Sequence, residues 1–299
     1  MKSTLTRRHF LAGAALLPSL ASGGTFAQGT LRPRRAGRIK LSCNLYSFND
    51  PLRKGEMSLD QVLELCSELG FDAVDPTGYY FPGYPEVPPD KYLFEFKKKA
   101  HLLGLDISGT GVRNDFTLAD AAQRSADVAL VKKWVAVAAK LGAPVLRVFA
   151  GKELAEGRSR AQANDFVVEA LRLCAAYGQQ QGVMIVLQNH NEFLKTTDEV
   201  LHILQRVDSD WLGLNLDIGS LRQGDPYAEI ARLAPYAYTW QLKENVYRQG
   251  VEEKTDVAKI IQIAREAGYR GYLPIETLRG DPRVQVPRFL AEVQAALGT

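Results

Sequence analysis

Residues 181–190, QGVMIVLQNH, contain the unit that decides the fold of this 299-residue chain. Gly182 follows an amphipathic stretch, and an apolar run from Val183 to Leu187 comes directly after it. Glycine commonly ends a helix because the residue there adopts a positive φ, which costs glycine no clash with a Cβ atom. The short apolar run, with its polar end, then predicts a strand.

The same joint of helix, glycine and strand recurs along the chain, at Leu69-Gly70-Phe71, Leu103-Gly104-Leu105, Leu141-Gly142-Ala143 and Ala267-Gly268-Tyr269. Strands are predicted near residues 39–44, 72–76, 105–109, 145–149, 184–189, 212–217, 238–243 and 272–276, with seven or eight helices between and after them. Strict alternation of strands and helices implies a parallel sheet. Eight repeats favour a closed (β/α)8 TIM barrel of the α/β class. An open doubly wound sheet is the alternative, but no Gly-x-Gly-x-x-Gly follows the first strand.

The N-terminus predicts export. Residues 6–11, TRRHFL, resemble a twin-arginine motif, and the apolar stretch at 11–21 is too short to span a bilayer. Residues 25–27, TFA, offer a cleavage point. We predict a twin-arginine signal peptide at residues 1–27, a short linker at 28–38 and one barrel domain at 39–299. The mature protein is expected in the periplasm or outside the cell.

Composition and charge argue against several classes of protein. The formal charge of +3 is carried by the predicted signal, which leaves equal numbers of basic and acidic residues in the mature part. No basic surplus remains to neutralise phosphates, so nucleic-acid binding is disfavoured. No later stretch is apolar and long enough to anchor in a membrane. Cys66 and Cys174 lie on apolar helix faces, which predicts buried thiols, and no Cys-x-x-Cys supports a thiolate metal site.

The ends of the late strands carry the candidate functional side chains. In a barrel, active sites lie where strands end, and alternation decides which side chains point into the lumen. This rule places Gln188, Asp217, Gln241 and Glu276 inward at the ends of four successive strands. Two carboxylates and two amide oxygens suit a hard divalent ion such as Mn²⁺ or Mg²⁺. The alternative is a charge network without an ion, in which Lys243 neutralises the carboxylates.

These positions carry a resemblance to a known family. The matching stretches are Leu45-Tyr46-Ser47-Phe48, Arg147-Val148-Phe149-Ala150-Gly151, Leu187-Gln188-Asn189-His190, Leu216-Asp217-Ile218-Gly219, Gln241-Leu242-Lys243-Glu244 and Ile275-Glu276. In their order and strand placement they resemble the xylose-isomerase-like superfamily of sugar isomerases and epimerases, over essentially the whole mature chain. The resemblance implies a TIM barrel that binds one divalent ion, Mn²⁺ or Mg²⁺, and a sugar or keto-sugar. The ion's ligands would be Gln188, Asp217, Gln241 and Glu276.

The sequence departs from the family pattern at the fifth strand, where members have Glu and this chain has Gln188. In the epimerases of the family, that Glu and the strand-eight Glu are implied to work as a pair of bases. Glutamine cannot accept a proton, so this chain lacks one base of that pair. The position three residues after the strand-six Asp, often His in the family, is Ser220 here.

Glu276, His190 and Lys243 are the candidate catalytic residues. Glu276 can abstract a proton from a carbon next to a metal-bound carbonyl. His190 titrates near neutral pH, and Lys243 can act as an acid or a base if its pKa falls. In the alternative interpretation, His190 only hydrogen-bonds its neighbours and Lys243 only neutralises the carboxylates.

The candidate substrate-binding residues are Arg147, Asn189, Tyr79 and Tyr80. Arg147 points inward, where it could bind a substrate oxygen or support the barrel through buried hydrogen bonds. The two tyrosines follow the second strand near the predicted mouth and could stack on a sugar, although aromatic runs more often pack in the interior.

The leading hypothesis is a divalent-metal-dependent sugar isomerase or epimerase that transfers a proton next to a metal-bound carbonyl. A keto-sugar or keto-glycoside lyase or dehydratase is one alternative, because elimination needs only one base and one acid. A non-catalytic sugar-binding protein is another. An endonuclease-IV-like nuclease would need many His ligands, whereas two of the three mature histidines, His101 and His202, fall within predicted helices. The oligomeric state stays open, with a homo-oligomer among the options.

Overall fold

A computed structural model describes residues 39–152, 154 and 156–298. The predicted signal peptide and linker lie outside these residues. The strands, in chain order, are β1 (Lys40–Asn44), β2 (Ala73–Asp75), β3 (Asp106–Ile107), β4 (Thr110–Gly111), β5 (Val145–Phe149), β6 (Met184–Gln188), β7 (Leu212–Asp217), β8 (Ala237–Lys243), β9 (Asn245–Arg248), β10 (Val251–Lys254) and β11 (Tyr272–Glu276).

All strands except β9 and β10 form one parallel sheet in the order β3-β2-β1-β11-β8-β7-β6-β5-β4. The two ends of this sheet, β3 and β4, belong to one short segment of the chain. A parallel bridge between Thr77 and Gly111 adds a contact at this seam. The sheet is thus a nearly closed barrel, and the predicted (β/α)8 TIM barrel is confirmed.

The third strand is divided, whereas the sequence predicted a continuous strand at 105–109. Its first half pairs with β2 and its second half with β5. Glycines allow the change of partner because they let the backbone approach its neighbours closely. A Cβ atom on Gly109 would lie 2.9 Å from the side chain of Val145, and one on Gly111 would lie 2.9 Å from the guanidinium of Arg147.

The helices surround the barrel as α1 (Asn49–Lys54), α2 (Leu59–Glu68), α3 (Asp90–Leu102), α4 (Ala121–Leu141), α5 (Arg160–Gln181), α6 (Thr197–Val207), α7 (Pro226–Leu233), α8 (Val257–Glu266) and α9 (Pro282–Leu297). Ser58, Ser159 and Thr196 start α2, α5 and α6 with capping boxes, which satisfy backbone N–H groups that have no partner within the helix. The glycines of the five predicted joints all have φ between 70° and 79°, as expected for residues that end helices.

The core lies between the barrel and its helices. Trp240, which the strand alternation placed outward from the lumen, is fully buried and packs edge-on against Tyr269. The thiols of Cys43, Cys66 and Cys174 are free and buried, as predicted for the last two. Within the described residues, no helix combines the length and apolar character that crossing a bilayer requires.

An antiparallel hairpin of β9 and β10 follows β8 and was not predicted from the sequence. Its turn contains Gln249 and Gly250, both with positive φ. Two consecutive residues of this kind are typical of the tight turn that matches the twist of a two-stranded ribbon. The hairpin starts directly where β8 ends and therefore stands beside the mouth of the barrel.

Candidate active site

The carboxyl ends of β6, β7, β8 and β11 bring a polar cluster together. The sheet register pairs Asp217 with Gln241 and Glu276 with Lys243, so side chains of equal parity meet in the lumen. The side chains of Asp217, Gln241, Glu276 and Gln188 are all buried. The structure thus brings the four predicted metal ligands and Lys243 into one cluster.

Asp217 is the centre of this cluster. Its Oδ2 atom accepts hydrogen bonds at 2.8 Å from Gln188 Nε2, Lys243 Nζ and Ser220 Oγ. Its Oδ1 atom accepts the backbone N–H of Gly219 at 3.0 Å. Burial alone would raise the pKa of Asp217, but the charge and hydrogen bond of Lys243 hold it below its ordinary value. Asp217 is therefore ionised at neutral pH.

Lys243 is shared between two carboxyl groups. Its Nζ atom lies 2.8 Å from Oδ2 of Asp217 and 3.4 Å from Oε1 of Glu276. Burial acts to lower the pKa of Lys243, but the two carboxylates outweigh it and raise the pKa above its ordinary value. Burial raises the pKa of Glu276, and the nearby ammonium offsets this only in part. The cluster thus combines a stable cation with a glutamate that takes up a proton more readily than usual.

Gln188 acts as a hydrogen-bond donor in this arrangement. Its Nε2 atom donates to Oδ2 of Asp217 at 2.8 Å and to Oε1 of Gln241 at 2.7 Å. Its own Oε1 atom is buried and has no hydrogen-bond partner among the described residues. A glutamate at this position would set a carboxylate against both acceptors and would need a cation between them. The amide removes that need.

The cluster as arranged does not fit a divalent ion. Oδ2 of Asp217 already accepts three hydrogen bonds, and both acidic side chains contact the Lys243 ammonium. The Lys243 ammonium contacts both carboxyl groups and would repel a divalent ion placed between them.

A cavity opens beside this cluster at the carboxyl ends of the strands. Among the residues that line it are Glu276, Lys243, His190, Ser220, Asn245 and Tyr247. Sequence reasoning missed Asn245 and Tyr247 because it did not predict the hairpin. The two-residue Gln249-Gly250 connection between two short runs was the signal that could have indicated it.

His190 lies on the wall of this cavity. Its Nδ1 atom is 3.2 Å from Oε2 of Glu192, but the two are not aligned for a hydrogen bond. Its ring packs edge-on against Phe149 at 5.2 Å between centroids. Burial lowers the pKa of His190, so its imidazole is neutral at pH 7 and able to accept a proton.

Asn189 holds two strands together. Its side-chain amide donates to the backbone carbonyl of Asp217 at 2.9 Å, and its Oδ1 atom accepts the backbone N–H of the same residue at 2.8 Å. The side chain is fully buried. It fixes the position of Asp217, and the predicted substrate contact of Asn189 has no support in this geometry.

The other three predicted substrate-binding residues make hydrogen bonds within the protein. Arg147 donates to the hydroxyl of Tyr79 at 2.6 Å and to the backbone carbonyl of Val112. Tyr80 donates to Oδ1 of Asn49 at 2.9 Å. None of these side chains is among the described residues that line the cavity. For Arg147, the contacts favour the supporting role over substrate binding.

Asp75, at the end of β2, is a buried acid that the sequence reasoning missed. It accepts a hydrogen bond from Nδ2 of Asn44 at 3.1 Å. Burial raises the pKa of Asp75 to about 6, although the charge of Arg147 acts to lower it. The alternation that identified Glu276 would have found Asp75 as well, had it been applied to the early strands.

Asp75→Asn should flatten the pH dependence of stability in acid. Folding raises the pKa of Asp75 from 3.8 to about 6, so its contribution to stability is present below about pH 4 and is lost as the pH rises towards 6. The slope is at most about 1.4 kcal/mol per pH unit. Urea unfolding between pH 4 and 7 measures it, with Asp60→Asn on the surface as the control. Identical profiles for Asp75→Asn and the wild type would contradict this assignment.

Comparison with known proteins agrees with the barrel. The sequence profile of the xylose isomerase-like TIM barrel family matches residues 63–294. The barrel is similar to that of a D-psicose 3-epimerase crystallised in the presence of D-fructose, with a TM-score of 0.74, 16% identity, and coverage of 87% of this chain and 100% of that one. An L-ribulose 3-epimerase has a TM-score of 0.71 and 18% identity, with 87% and 95% covered.

A xylose isomerase-like TIM barrel protein from Mycobacterium smegmatis, crystallised in complex with magnesium, has a TM-score of 0.66 and 20% identity, with 88% of this chain and 99% of that one covered. No curated protein matches the chain in sequence. At these identities the structural likeness shows the fold alone. Because the family profile covers most of the chain, the protein belongs to the xylose isomerase-like TIM barrel family.

Proposed function

We propose that the protein is a sugar isomerase or epimerase that acts on a keto-sugar by proton transfer next to the carbonyl group. The observation that carries this proposal is Glu276, a buried carboxyl group with a raised pKa that lines the cavity beside the Lys243 ammonium. The epimerases named among the structural neighbours act on sugars of this kind, which supports the substrate class.

In the proposed reaction, the Glu276 carboxylate accepts a proton from the carbon adjacent to the carbonyl. The electrons of the broken C–H bond form a C=C bond, and the carbonyl π electrons move onto oxygen. Return of the proton by Glu276 to the same carbon regenerates the starting sugar, whereas protonation of that carbon on the opposite face by a second group gives the epimer. Delivery of the proton to the former carbonyl carbon gives the isomer when the hydroxyl proton on the first carbon moves to the former carbonyl oxygen. A base whose pKa lies closer to the working pH transfers protons more effectively in both directions.

His190 is the candidate second acid or base. It lines the same cavity, and a neutral imidazole can donate one proton or accept another. Gln188 cannot take this part because an amide does not accept a proton. An isomerisation by one base therefore requires fewer catalytic groups than an epimerisation, in which the proton leaves one face of the carbon and returns to the other.

The sequence predicted one Mn²⁺ or Mg²⁺ ion for this reaction, and the neighbour crystallised with magnesium supports that prediction. The contacts of Lys243 with both carboxyl groups oppose it. The metal dependence of the reaction stays a prediction that metal analysis decides.

A lyase is the second candidate function, favoured by Gln188 in place of a second base. β-Elimination from a keto-sugar uses one base for the proton and one acid for the departing oxygen. Glu276 offers the base, and the neighbouring Lys243 ammonium, whose raised pKa makes it a weak acid, would stabilise the charge on the departing oxygen. The sugar-binding protein without catalysis is the remaining alternative.

The proposal is tested by solvent-deuterium exchange on D-psicose, L-ribulose and D-fructose, followed by NMR with the mature protein. We expect deuterium to appear at the carbon next to the carbonyl. A new sugar would identify an isomerase or epimerase, and an unsaturated product would identify a lyase. Folded protein that binds a sugar but exchanges no proton would refute the proposed enzymatic function and support a non-catalytic sugar-binding protein.

We also propose that the enzyme is exported. The twin-arginine motif at residues 6–11 supports export to the periplasm or the exterior. An exported enzyme would meet free sugars more readily than phosphorylated intermediates, so unphosphorylated keto-sugars form the first panel.

A further inference from the structure

We propose that the ammonium group of Lys243 is the resident cation of this site, in the place where a metal-dependent member of the fold would hold a divalent ion. Lys243 lies at the end of β8, next to β11, and its Nζ atom contacts Asp217 and Glu276 from the two neighbouring strands. The cation is thus supplied by the chain itself.

The charges of the cluster are consistent with this assignment. Asp217 and Glu276 are its two acidic side chains, and the other two inward positions are the neutral amides of Gln188 and Gln241. The ammonium contacts both carboxyl groups, and Asp217 also accepts hydrogen bonds from Gln188, Ser220 and the backbone N–H of Gly219. The amides of Gln188 and Gln241 are neutral, so they add no net negative charge to attract a dication.

The hydrogen bonds of the cluster also support Lys243 as its cation. Gln188 directs its N–H groups, and not its oxygen, at Asp217 and Gln241. Turning the Gln188 amide over would replace its two donated hydrogen bonds by contacts of its oxygen with Oδ2 of Asp217 and Oε1 of Gln241. Ser220 adds a further donor to Asp217, at a position where the sequence resemblance led to the expectation of His. Hydrogen-bond donors therefore occupy the Asp217 oxygen that a metal ion would otherwise bind.

The ammonium also has a proton left for a ligand. Lys243 carries three N–H donors, of which one donates to Asp217 at 2.8 Å, while Glu276 lies 3.4 Å away in an ion pair. The side chain lines the cavity, so a sugar oxygen in that cavity can accept another. This step rests on the proposed function: the ammonium would stabilise the negative charge that develops on the carbonyl oxygen when Glu276 removes the neighbouring proton.

Metal titration of the purified wild-type protein tests the assignment without any activity measurement. We expect metal analysis to find far less than one ion per chain. We also expect millimolar MnCl₂ or EDTA to leave the melting temperature unchanged. Stoichiometric manganese that is lost in Asp217→Ala would overturn the proposal.

A double variant, Gln188→Glu with Lys243→Met, provides the converse test. It restores a carboxylate and removes the ammonium, so millimolar MnCl₂ should raise its melting temperature by roughly 5 °C. The matched control, Gln188→Glu with Lys254→Met, changes a surface lysine and should respond less. A folded double variant that binds no manganese would overturn the assignment of Lys243 as the excluding group. If the double variant does not fold, the wild-type titration decides alone.

The outcomes separate this proposal from the proposed function. Metal-free protein that exchanges deuterium with a keto-sugar supports both. Metal-free protein without exchange refutes the proposed function and leaves Lys243 as the cation. Protein that exchanges deuterium only with bound manganese refutes the Lys243 assignment and leaves the enzyme.

Discussion

Replacing Glu276 with glutamine should lower the rate of deuterium exchange into a keto-sugar by about 10²- to 10⁴-fold, the range for removal of a general base. Glutamine keeps the shape of the side chain but cannot accept a proton. Because the Asp217–Lys243 contact is unaffected, the variant should still fold and bind the sugar. Exchange rates from NMR and sugar affinity from calorimetry measure the two effects separately.

The control for this substitution is Glu292→Gln, which removes a surface carboxylate paired with Lys254 and should leave the rate unchanged. Glu276→Gln protein that exchanges at the wild-type rate would show that another group is the base. His190→Gln would then be the next variant to measure, since this imidazole lines the same cavity.

Replacing Lys243 with methionine should destabilise the protein by about 3–5 kcal/mol at neutral pH, the cost of leaving buried charges without a partner. Asp217 and Glu276 would then face each other with no cation between them. Loss of the ammonium raises the folded-state pKa of Glu276 further, so stability falls as the pH rises. The variant should accordingly be closer to wild type at pH 5 than at pH 8.

Urea unfolding at both pH values measures this difference. Lys254→Met is the control, because its salt bridge with Glu292 is exposed and is worth about 0–1 kcal/mol. An equal loss at pH 5 and pH 8, or a loss no larger than that of the control, would contradict the account of the buried cluster.

Much of the fold follows from the sequence because its signals are local. A glycine that must adopt a positive φ marks each joint, and the alternation of side chains along β7 and β8 fixes which residues face the lumen. The first half of the third strand lies within its predicted range, but the division of the strand was not predicted because the change of partner depends on the close approach of Gly109 and Gly111 to side chains distant in sequence.

The membership of the site could also be predicted, but its chemistry could not. Alternation places Gln188, Asp217, Gln241 and Glu276 at one point, and the structure brings them together. Which cation joins them depends on the reach of the Lys243 side chain and on the orientation of one amide group. Neither property can be predicted from the alternation of side chains along a strand.

The same dependence on tertiary contacts explains why the structure gives no support to the predicted substrate contacts of Arg147 and Asn189. Parity shows that Arg147 points inward, and its partners Tyr79 and Val112 come from distant parts of the chain. Asn189 follows the end of its strand, where its amide finds the backbone of Asp217. Contacts of this kind depend on packing between strands, which a single sequence does not show.

A crystal structure of the wild-type protein grown with millimolar MnCl₂, with diffraction data collected at the manganese absorption edge, tests the central claim most directly. The account predicts no anomalous peak in the barrel mouth and the Nζ atom of Lys243 within hydrogen-bond distance of Asp217. A manganese peak bound by Asp217, Gln241 and Glu276, with the Lys243 ammonium displaced from both carboxylates, would contradict it.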